Sequence, residues 1–256
     1  MSKRFAFDAI AGTYDETFTS VRVASLMRRA VWRRTDAAFP PGSSILELNC
    51  GTGEDAVHLA MRGVHVLATD ISAEMLRVTS EKVAARGVSK LVETSKVAWE
   101  DLDALPEECF DGALSDFGGL NCVHDLESIA APLARRLKPG SPVLLCVMGP
   151  LALWEWLWFG LRLQPAKAFR RWRRNPQWRG IPLRYPSSSA LARALSHSFR
   201  VKRVNAIGIL LPPCLESISH RYPRIIAALY RWERRLETVP PLPWLADHYL
   251  LELERL

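Results

Sequence analysis

Apolar residues fall along this chain in two patterns that alternate from end to end. Short buried runs closed by turn residues read as strands, and longer stretches with apolar positions every three or four residues read as helices. The runs are Ile45-Leu46-Glu47-Leu48, Val64–Asp70, Leu91–Ala98, Phe110–Ser115, Val143–Met148, Phe199–Ile207 and His248–Arg255. Helical spacing marks Val21–Phe39, the stretch through Ala56, Val57, Leu59 and Ala60, and the segment after Ser72 with Met75 on its inner side. It continues in a helix closing over Leu133–Lys138, and in Leu151–Leu163, Ser187–His197 and Tyr222–Leu236. Pro40-Pro41-Gly42 and Pro139-Gly140 stop helices ahead of strands, and Ser72 stands where an N-cap is needed. Strands alternating with helices predict an α/β fold, a doubly wound and mostly parallel sheet.

The chemistry concentrates at the first turn. Strand Ile45–Leu48 runs into Asn49-Cys50-Gly51-Thr52-Gly53, and a helix follows at once. Gly51 and Gly53 lack the Cβ that would hold a ligand off the backbone, and the helix start offers unpaired N–H groups. A dinucleotide fingerprint needs a third glycine, and Ala56 stands in its place. A phosphate loop needs Gly-Lys-Ser/Thr, and Glu54-Asp55 follow instead, two carboxylates that would repel a pyrophosphate. Asp70, ending the second strand 17 residues beyond Gly53, lies near the offset at which a carboxylate meets a ribose.

Glu47-Leu48-Asn49-Cys50-Gly51-Thr52-Gly53 resembles the acid-x-Gly-x-Gly-x-Gly motif of class I S-adenosylmethionine-dependent methyltransferases. Asn49 replaces the first glycine, and Asn is the side chain that best tolerates a left-handed backbone. Phe7, Asp8, Ala11, Tyr14 and Asp15 match the N-terminal arm of the ubiquinone- and menaquinone-type branch, whose aromatics here include Phe5 and Phe18. The resemblance implies a seven-stranded Rossmann-like sheet with an antiparallel last strand, S-adenosylmethionine as cofactor and S-adenosylhomocysteine as product. It implies an arm that closes over the cofactor with Tyr14 near the methionyl end, Asp70 on the ribose hydroxyls and Ile71 on adenine. Cofactor contacts are accordingly expected at Tyr14, Glu47, Asn49, Cys50, Gly51, Gly53, Asp70, Ile71, Met75, Ala98, Trp99, Asp116 and Phe117. The adenine-binding acid that usually follows the third strand falls on Val97, so it is missing or displaced to Glu100 or Asp101. The loop Asp116-Phe117-Gly118-Gly119-Leu120-Asn121 is not the Asn/Asp-Pro-Pro-Tyr/Phe loop of base N-methylation. Asp116, Asn121 and His220 are the candidates for acting on the acceptor, Tyr222 is a further candidate contact, and His124 reads as a surface residue.

Charge divides the chain. Residues 1–150 carry 16 Lys and Arg against 20 Asp and Glu, residues 151–256 carry 18 against 7, and the net charge is +7. The basic excess begins in Gly149–Pro186, which holds Trp154, Trp156, Trp158, Trp172 and Trp178 with Arg162, Lys167, Arg170, Arg171, Arg173, Arg174, Arg179 and Arg184. Val143–Leu161 is long enough to cross a membrane, but Gly149-Pro150 breaks it, Glu155 interrupts it and its first part is a strand. The expectation is an apolar helix over Leu151–Leu163 and a basic helix around Lys167–Arg174, forming a lid over a bulky, apolar or aromatic and anionic acceptor. The same composition would let 151–174 touch an anionic membrane peripherally. The five scattered cysteines read as reduced thiols, no metal-ligand spacing occurs, and the stretch MSKRFAFDAI lacks the apolar core expected of a signal peptide. The organisation expected is one unit over 1–256: arm and helix 1–42, cofactor core 43–148, lid 149–186, and 187–256 completing the sheet with a helical substrate wall. The reading is a cytoplasmic methyltransferase acting on a small molecule, with nucleic acid disfavoured. The alternatives are a non-catalytic binding protein of the same fold and an RNA or macromolecule methyltransferase.

Overall fold

The computed structural model describes residues 3–105, 109–173, 175–211 and 216–256. Arg174, Pro212-Pro213, Cys214 and the side chain of Phe5, all used in the sequence reading, lie outside the described residues. In chain order the elements are α1 (Lys3–Asp8), α2 (Arg22–Ala38), β1 (Ser44–Leu48), α3 (Glu54–Met61), β2 (His65–Asp70), α4 (Ala73–Ala85), β3 (Val92–Lys96), β4 (Gly112–Ser115), α5 (Ala130–Arg135) and β5 (Pro142–Met148). They continue with α6 (Leu153–Gly160), α7 (Pro165–Ala168), a small hairpin of β6 (Gln177–Trp178) and β7 (Ile181–Pro182), α8 (Ser188–Leu195), β8 (Phe199–Ile207), α9 (Glu216–Ser219), α10 (Pro223–Leu236), α11 (Leu242–Leu245) and β9 (His248–Arg255).

The main sheet has seven strands in the order β3-β2-β1-β4-β5-β9-β8. The five strands β1–β5 pair in parallel, and β9 inserts antiparallel to both β5 and β8. Alternate residues of each strand feed the two faces. Leu46, Leu48, Val143, Leu145 and Val147 enter one core cluster, and Ile45, Leu144 and Cys146 enter the other. Each fully buried Leu, Ile or Val stabilises the fold by about 1.5–3 kcal/mol, so a register slip that exposed one face would be costly. On α2 the buried positions Val23, Met27, Ala30 and Val31 form the stripe that helical spacing predicts. Ser72 caps α4, its Oγ accepting from the Met75 N–H at 3.1 Å.

The strand order reverses between β1 and β4, and open α/β sheets bind ligands outside the carboxyl ends of strands at such a point. The antiparallel β9 has a further consequence. Its first residue, His248, pairs with Met148 and Ile207, the last residues of β5 and β8. His248 therefore arrives at the same carboxyl edge.

The lid departs from expectation. The apolar helix stops at Gly160, and the basic helix exists only as the single turn of α7 and a 3₁₀ turn over Arg170–Trp172. Leu163 takes a left-handed backbone (φ 54°), and Pro165 opens the next turn. Arg171 is then drawn inward to buried carboxylates, which a continuous solvated basic helix would not allow.

Candidate active site

One cavity of about 1130 Å³ opens along the carboxyl edge of the sheet. Phe7, Tyr14 and Phe18 of the arm and Met27 and Arg28 of α2 form one wall. Gly51, Asp70, Ile71, Met75, Ala98 and Trp99 line the β1–β3 end, and Phe117, Gly118 and Gly119 follow β4. Trp154, Phe159, Arg170, Arg171, Trp178 and Tyr185 close it from the lid, and His248 enters from β9. A side chamber of about 40 Å³ adjoins it, walled by Tyr14, Arg28, Asn49, Cys50, Asp55, Asp116 and Phe117.

At the β1–β2 end, Asp70 is buried on the cavity wall. Its Oδ2 accepts from the Gly51 N–H at 3.0 Å and its Oδ1 from the Ser72 N–H at 2.9 Å. Burial raises its pKa to about 6 against those hydrogen bonds. A carboxylate with two donors keeps further acceptor sites, so a ligand bringing two adjacent hydroxyls would relieve the desolvation. Gly51 (φ 56°) has open space where a Cβ would stand. Gly53 does not line the cavity, contrary to the reason given for it above. Its Cβ would lie 2.5 Å from Thr79 Cγ2, so this glycine lets α4 pack against the turn.

Asn49 takes the left-handed backbone (φ 53°), and its amide ties three strand ends together. Its Nδ2 donates to the Asp116 carbonyl at 3.0 Å, while its Oδ1 accepts from Ser115 Oγ at 2.6 Å and Trp99 Nε1 at 3.2 Å. Trp99 thus reaches the wall with its indole N–H committed to the fold. Of the two acids considered after β3, Glu100 reaches the cavity wall and Asp101 does not.

The arm is latched by its own acids. Asp8 Oδ1 accepts from Ser72 Oγ at 2.5 Å, and Asp15 accepts from Thr52 Oγ1 at 2.6 Å and pairs with Lys82 at 2.7 Å. Ile10, Ala11 and Met75 pack with Phe7, Tyr14 and Trp178 behind it. Burial raises the Tyr14 hydroxyl pKa, Arg28 opposing.

A charged group sits at the side chamber. Arg28 pairs with Asp55 and lies 3.8 Å from Asp116, with its guanidinium 4.9 Å from the centre of the Phe117 ring. Burial works against the Arg28 charge, but Asp55 and Asp116 outweigh it and raise its pKa. Asp116 Oδ2 is buried without a hydrogen-bond partner, and burial together with Asp55 pushes this carboxyl well above its ordinary range. Glu47 and Cys50 are likewise pushed up by burial. Glu47 lies behind the turn, off both chambers, whereas Cys50 touches only the smaller one.

Two acceptor-side candidates stand elsewhere than expected. The Asn121 amide is spent on the fold, donating to the Met148 and Arg184 carbonyls at 3.0 and 2.6 Å and accepting from the Met148 N–H at 3.0 Å. His220 is 79% exposed, pairs with Glu216 at 3.4 Å and lies off the cavity, as does Tyr222. Arg171 and His248 line the cavity instead. Arg171 donates to Glu155 at 2.7 Å, to the Gly149 and Asp247 carbonyls at 2.9 and 2.8 Å, and pairs with the Asp247 carboxylate. Burial opposes the Asp247 charge, but Arg171 and His248 hold its pKa below the usual range. His248 Nδ1 stands 2.8 Å from Asp247 Oδ2, and its ring meets Phe117 edge-on at 5.2 Å. Assigning His248–Arg255 to the antiparallel strand was the available signal, because that assignment puts its first residue at the ligand edge.

The residues present fit S-adenosylmethionine. A buried, under-satisfied carboxylate faces a glycine-walled apolar cavity, and an arginine and an orphaned carboxyl oxygen lie beside it. Residues 45–140 match the family model described as a methyltransferase domain. A demethylmenaquinone methyltransferase of Thermobifida fusca is 32% identical over 202 residues, 74% of this chain and 82% of that protein. One from Clavibacter sepedonicus is 33% identical over 145 residues, 55% of each chain. The DhpI–SAH complex superposes with a TM-score of 0.61 at 18% identity, covering 99% of this chain and 95% of that one.

Proposed function

The chain belongs to the class I S-adenosylmethionine-dependent methyltransferases, and on that footing we propose that it methylates a quinone-like aromatic small molecule in its reduced, hydroxylated form. The observation that carries this reading is the continuity of the larger cavity. Its Asp70 end and its lid end are continuous, so cofactor and a bulky apolar acceptor can share one chamber. The demethylmenaquinone methyltransferases among its relatives support the acceptor class.

In this reading Asp70 accepts from the ribose hydroxyls, Ile71, Met75 and Trp99 give adenine an apolar slot, and Glu100 stands for the displaced adenine acid. Arg28, held by Asp55, offers charge to the methionyl carboxylate beside Tyr14. S-adenosylmethionine, when bound, supplies an electrophilic methyl group on a sulfonium. The protein aligns the acceptor and excludes water. Phe117, Trp154 and Phe159 offer aromatic and apolar surface to the acceptor ring. His248, backed by Asp247, would take the proton of an acceptor hydroxyl, which enriches the adjacent ring carbon. Once that carbon carries the methyl group, its ring proton passes to the oxygen and restores the hydroxyl, so one proton in all is left on His248.

The test is product formation with S-adenosylmethionine and a reduced naphthoquinol that lacks its ring methyl and carries a prenyl tail. One methyl should be added per S-adenosylhomocysteine released. His248→Gln should lower kcat by about 10²–10⁴-fold, the range for a lost general base, with cofactor affinity unchanged. Cofactor binding without transfer to any hydroxylated aromatic would overturn the acceptor class, and undiminished turnover in the variant would overturn the role of His248.

A further inference from the structure

We propose that the α6–α7 tip of the lid docks on an anionic phospholipid bilayer, with Leu161 and Leu163 entering the interface. This stands apart from the acceptor assigned above and does not depend on it. Leu161 is 84% exposed and Leu163 88%, on either side of Arg162 at the turn between α6 and α7. Neither lines the cavity, and exposed leucines of this kind are a standing cost in water. Leu163 also holds a left-handed backbone (φ 54°), an arrangement that disfavours a bulky side chain and tends to persist at functional sites. Leu157, Phe169 and Trp172, each about half exposed, extend the apolar surface on both sides of the tip.

Charge identifies the partner. Between Leu151 and Pro186 the sequence holds eight Lys and Arg and a single acid, Glu155. Glu155 is buried and already engaged by Arg170 and Arg171, so no carboxylate of this segment neutralises the tip. Arg162 lies over the Trp158 ring at 3.6 Å and Lys167 approaches the Phe159 ring at 5.7 Å. These cations rest against aromatic rings of the same segment, a pairing of cation and apolar surface that suits a bilayer interface. Apolar residues flanked by cations suit anionic headgroups over acyl chains. Single-stranded nucleic acid is favoured less, because it is gripped by aromatic platforms within a groove, and here the most exposed large hydrophobics among the described residues are two aliphatic side chains on a turn. Among the described residues no helix is long and apolar enough to cross a membrane, so the contact would be interfacial. Phe159, Lys167 and Arg170 of the same segment line the cavity from within, and docking would therefore place the bilayer against the lid of the active site.

The experiment is co-sedimentation of the full chain with vesicles of phosphatidylcholine alone and of phosphatidylcholine with one-third phosphatidylglycerol, with a single-stranded RNA oligonucleotide as a third arm. The wild type should partition onto the anionic vesicles and not the neutral ones. The double variant Leu161→Glu, Leu163→Glu should lose at least tenfold of that partitioning while keeping its unfolding temperature and its S-adenosylhomocysteine affinity. Leu161→Ser, Leu163→Ser should lose less, and it keeps the test open if the glutamates perturb the fold. Equal partitioning of the variants, absence of wild-type binding to anionic vesicles, or tight salt-sensitive RNA binding without vesicle binding would each overturn the proposal.

Discussion

The two ends of the cavity are built on different principles. At the cofactor end, backbone does most of the work. Gly51 donates its N–H to Asp70, Ser72 does the same, and Asn49 and Gly53 adopt left-handed turns that set the loop. Every one of these residues lies within 25 positions of the others in sequence. At the lid end, side chains from distant segments are clamped together: Arg171 meets Glu155, the Gly149 carbonyl and Asp247, 76 residues further on. A site made of local backbone geometry is stiff, whereas one made of long-range charge pairs can be re-cut without disturbing the sheet.

The largest expected effect comes from breaking that clamp. Arg171→Met leaves Glu155 with only Arg170 and leaves Asp247, buried, with only His248 near it. Removing one partner from a buried pair costs about 3–5 kcal/mol, which in a chain of this size lowers the unfolding temperature by about 10 °C. Acceptor KM should rise with it, and cofactor affinity, measured by calorimetry at a temperature where the variant is folded, should stay unchanged. A loss of cofactor affinity would mean that the two ends are not independent.

The converse cut is Asp70→Ala, expected to weaken S-adenosylhomocysteine binding about a hundredfold, as two hydrogen bonds to a charged acceptor are lost. Asp70 also fixes a pH window, because its folded pKa is raised from 3.8 to about 6. Between those values the cofactor-free native state holds a proton that the unfolded chain has released. Stability from this group is therefore present at low pH and is lost as pH rises through 6. Cofactor binding needs the ionised form and runs the other way, weakening about tenfold per unit below pH 6. Titration calorimetry from pH 5 to 7.5 checks the slope, and a flat profile would remove Asp70 from the ribose.

The same contrast explains what could be read in advance. The alternation of runs located the strands of the main sheet, and the Asn49–Gly53 turn and Asp70 were visible because their chemistry is local. The bounds of β8 and β9 were read to the residue, since each is a bounded run next to turn signals. The lid was not legible in the same way. Composition named its tryptophans and arginines, but nothing local says that Arg171 turns inward while Arg162 stays out, because the carboxylates that decide it come from Glu155 and from Asp247 beyond β8. Asn121 and His220 misled for the opposite reason. Both are polar residues in plausible loops, and only the fold shows the first consumed by the Met148 and Arg184 backbone and the second facing solvent.

The smallest effect tests the one departure within the cofactor end. Asn49 stands where the family motif it resembles has glycine, and its amide faces Gly119, at which a Cβ would lie 2.1 Å from Asn49 Cγ. The two positions share one volume. Asn49→Gly relieves a left-handed backbone, which Asn tolerates at modest cost, but strands the Ser115 hydroxyl and the Trp99 indole N–H. The net loss should be about 1 kcal/mol, hydrogen bonds of this kind contributing about 1 kcal/mol each. Gly119→Ala alone should be worse, because its methyl group meets the Asn49 amide. Combined, the two should cost less than their sum, with a coupling of about 1–2 kcal/mol read from denaturant unfolding as a double-mutant cycle. Additive losses would show that Asn49 is only a tolerated replacement; a favourable coupling would show that the amide and the facing glycine are one device, tying β1 to β4 where the family uses bare backbone.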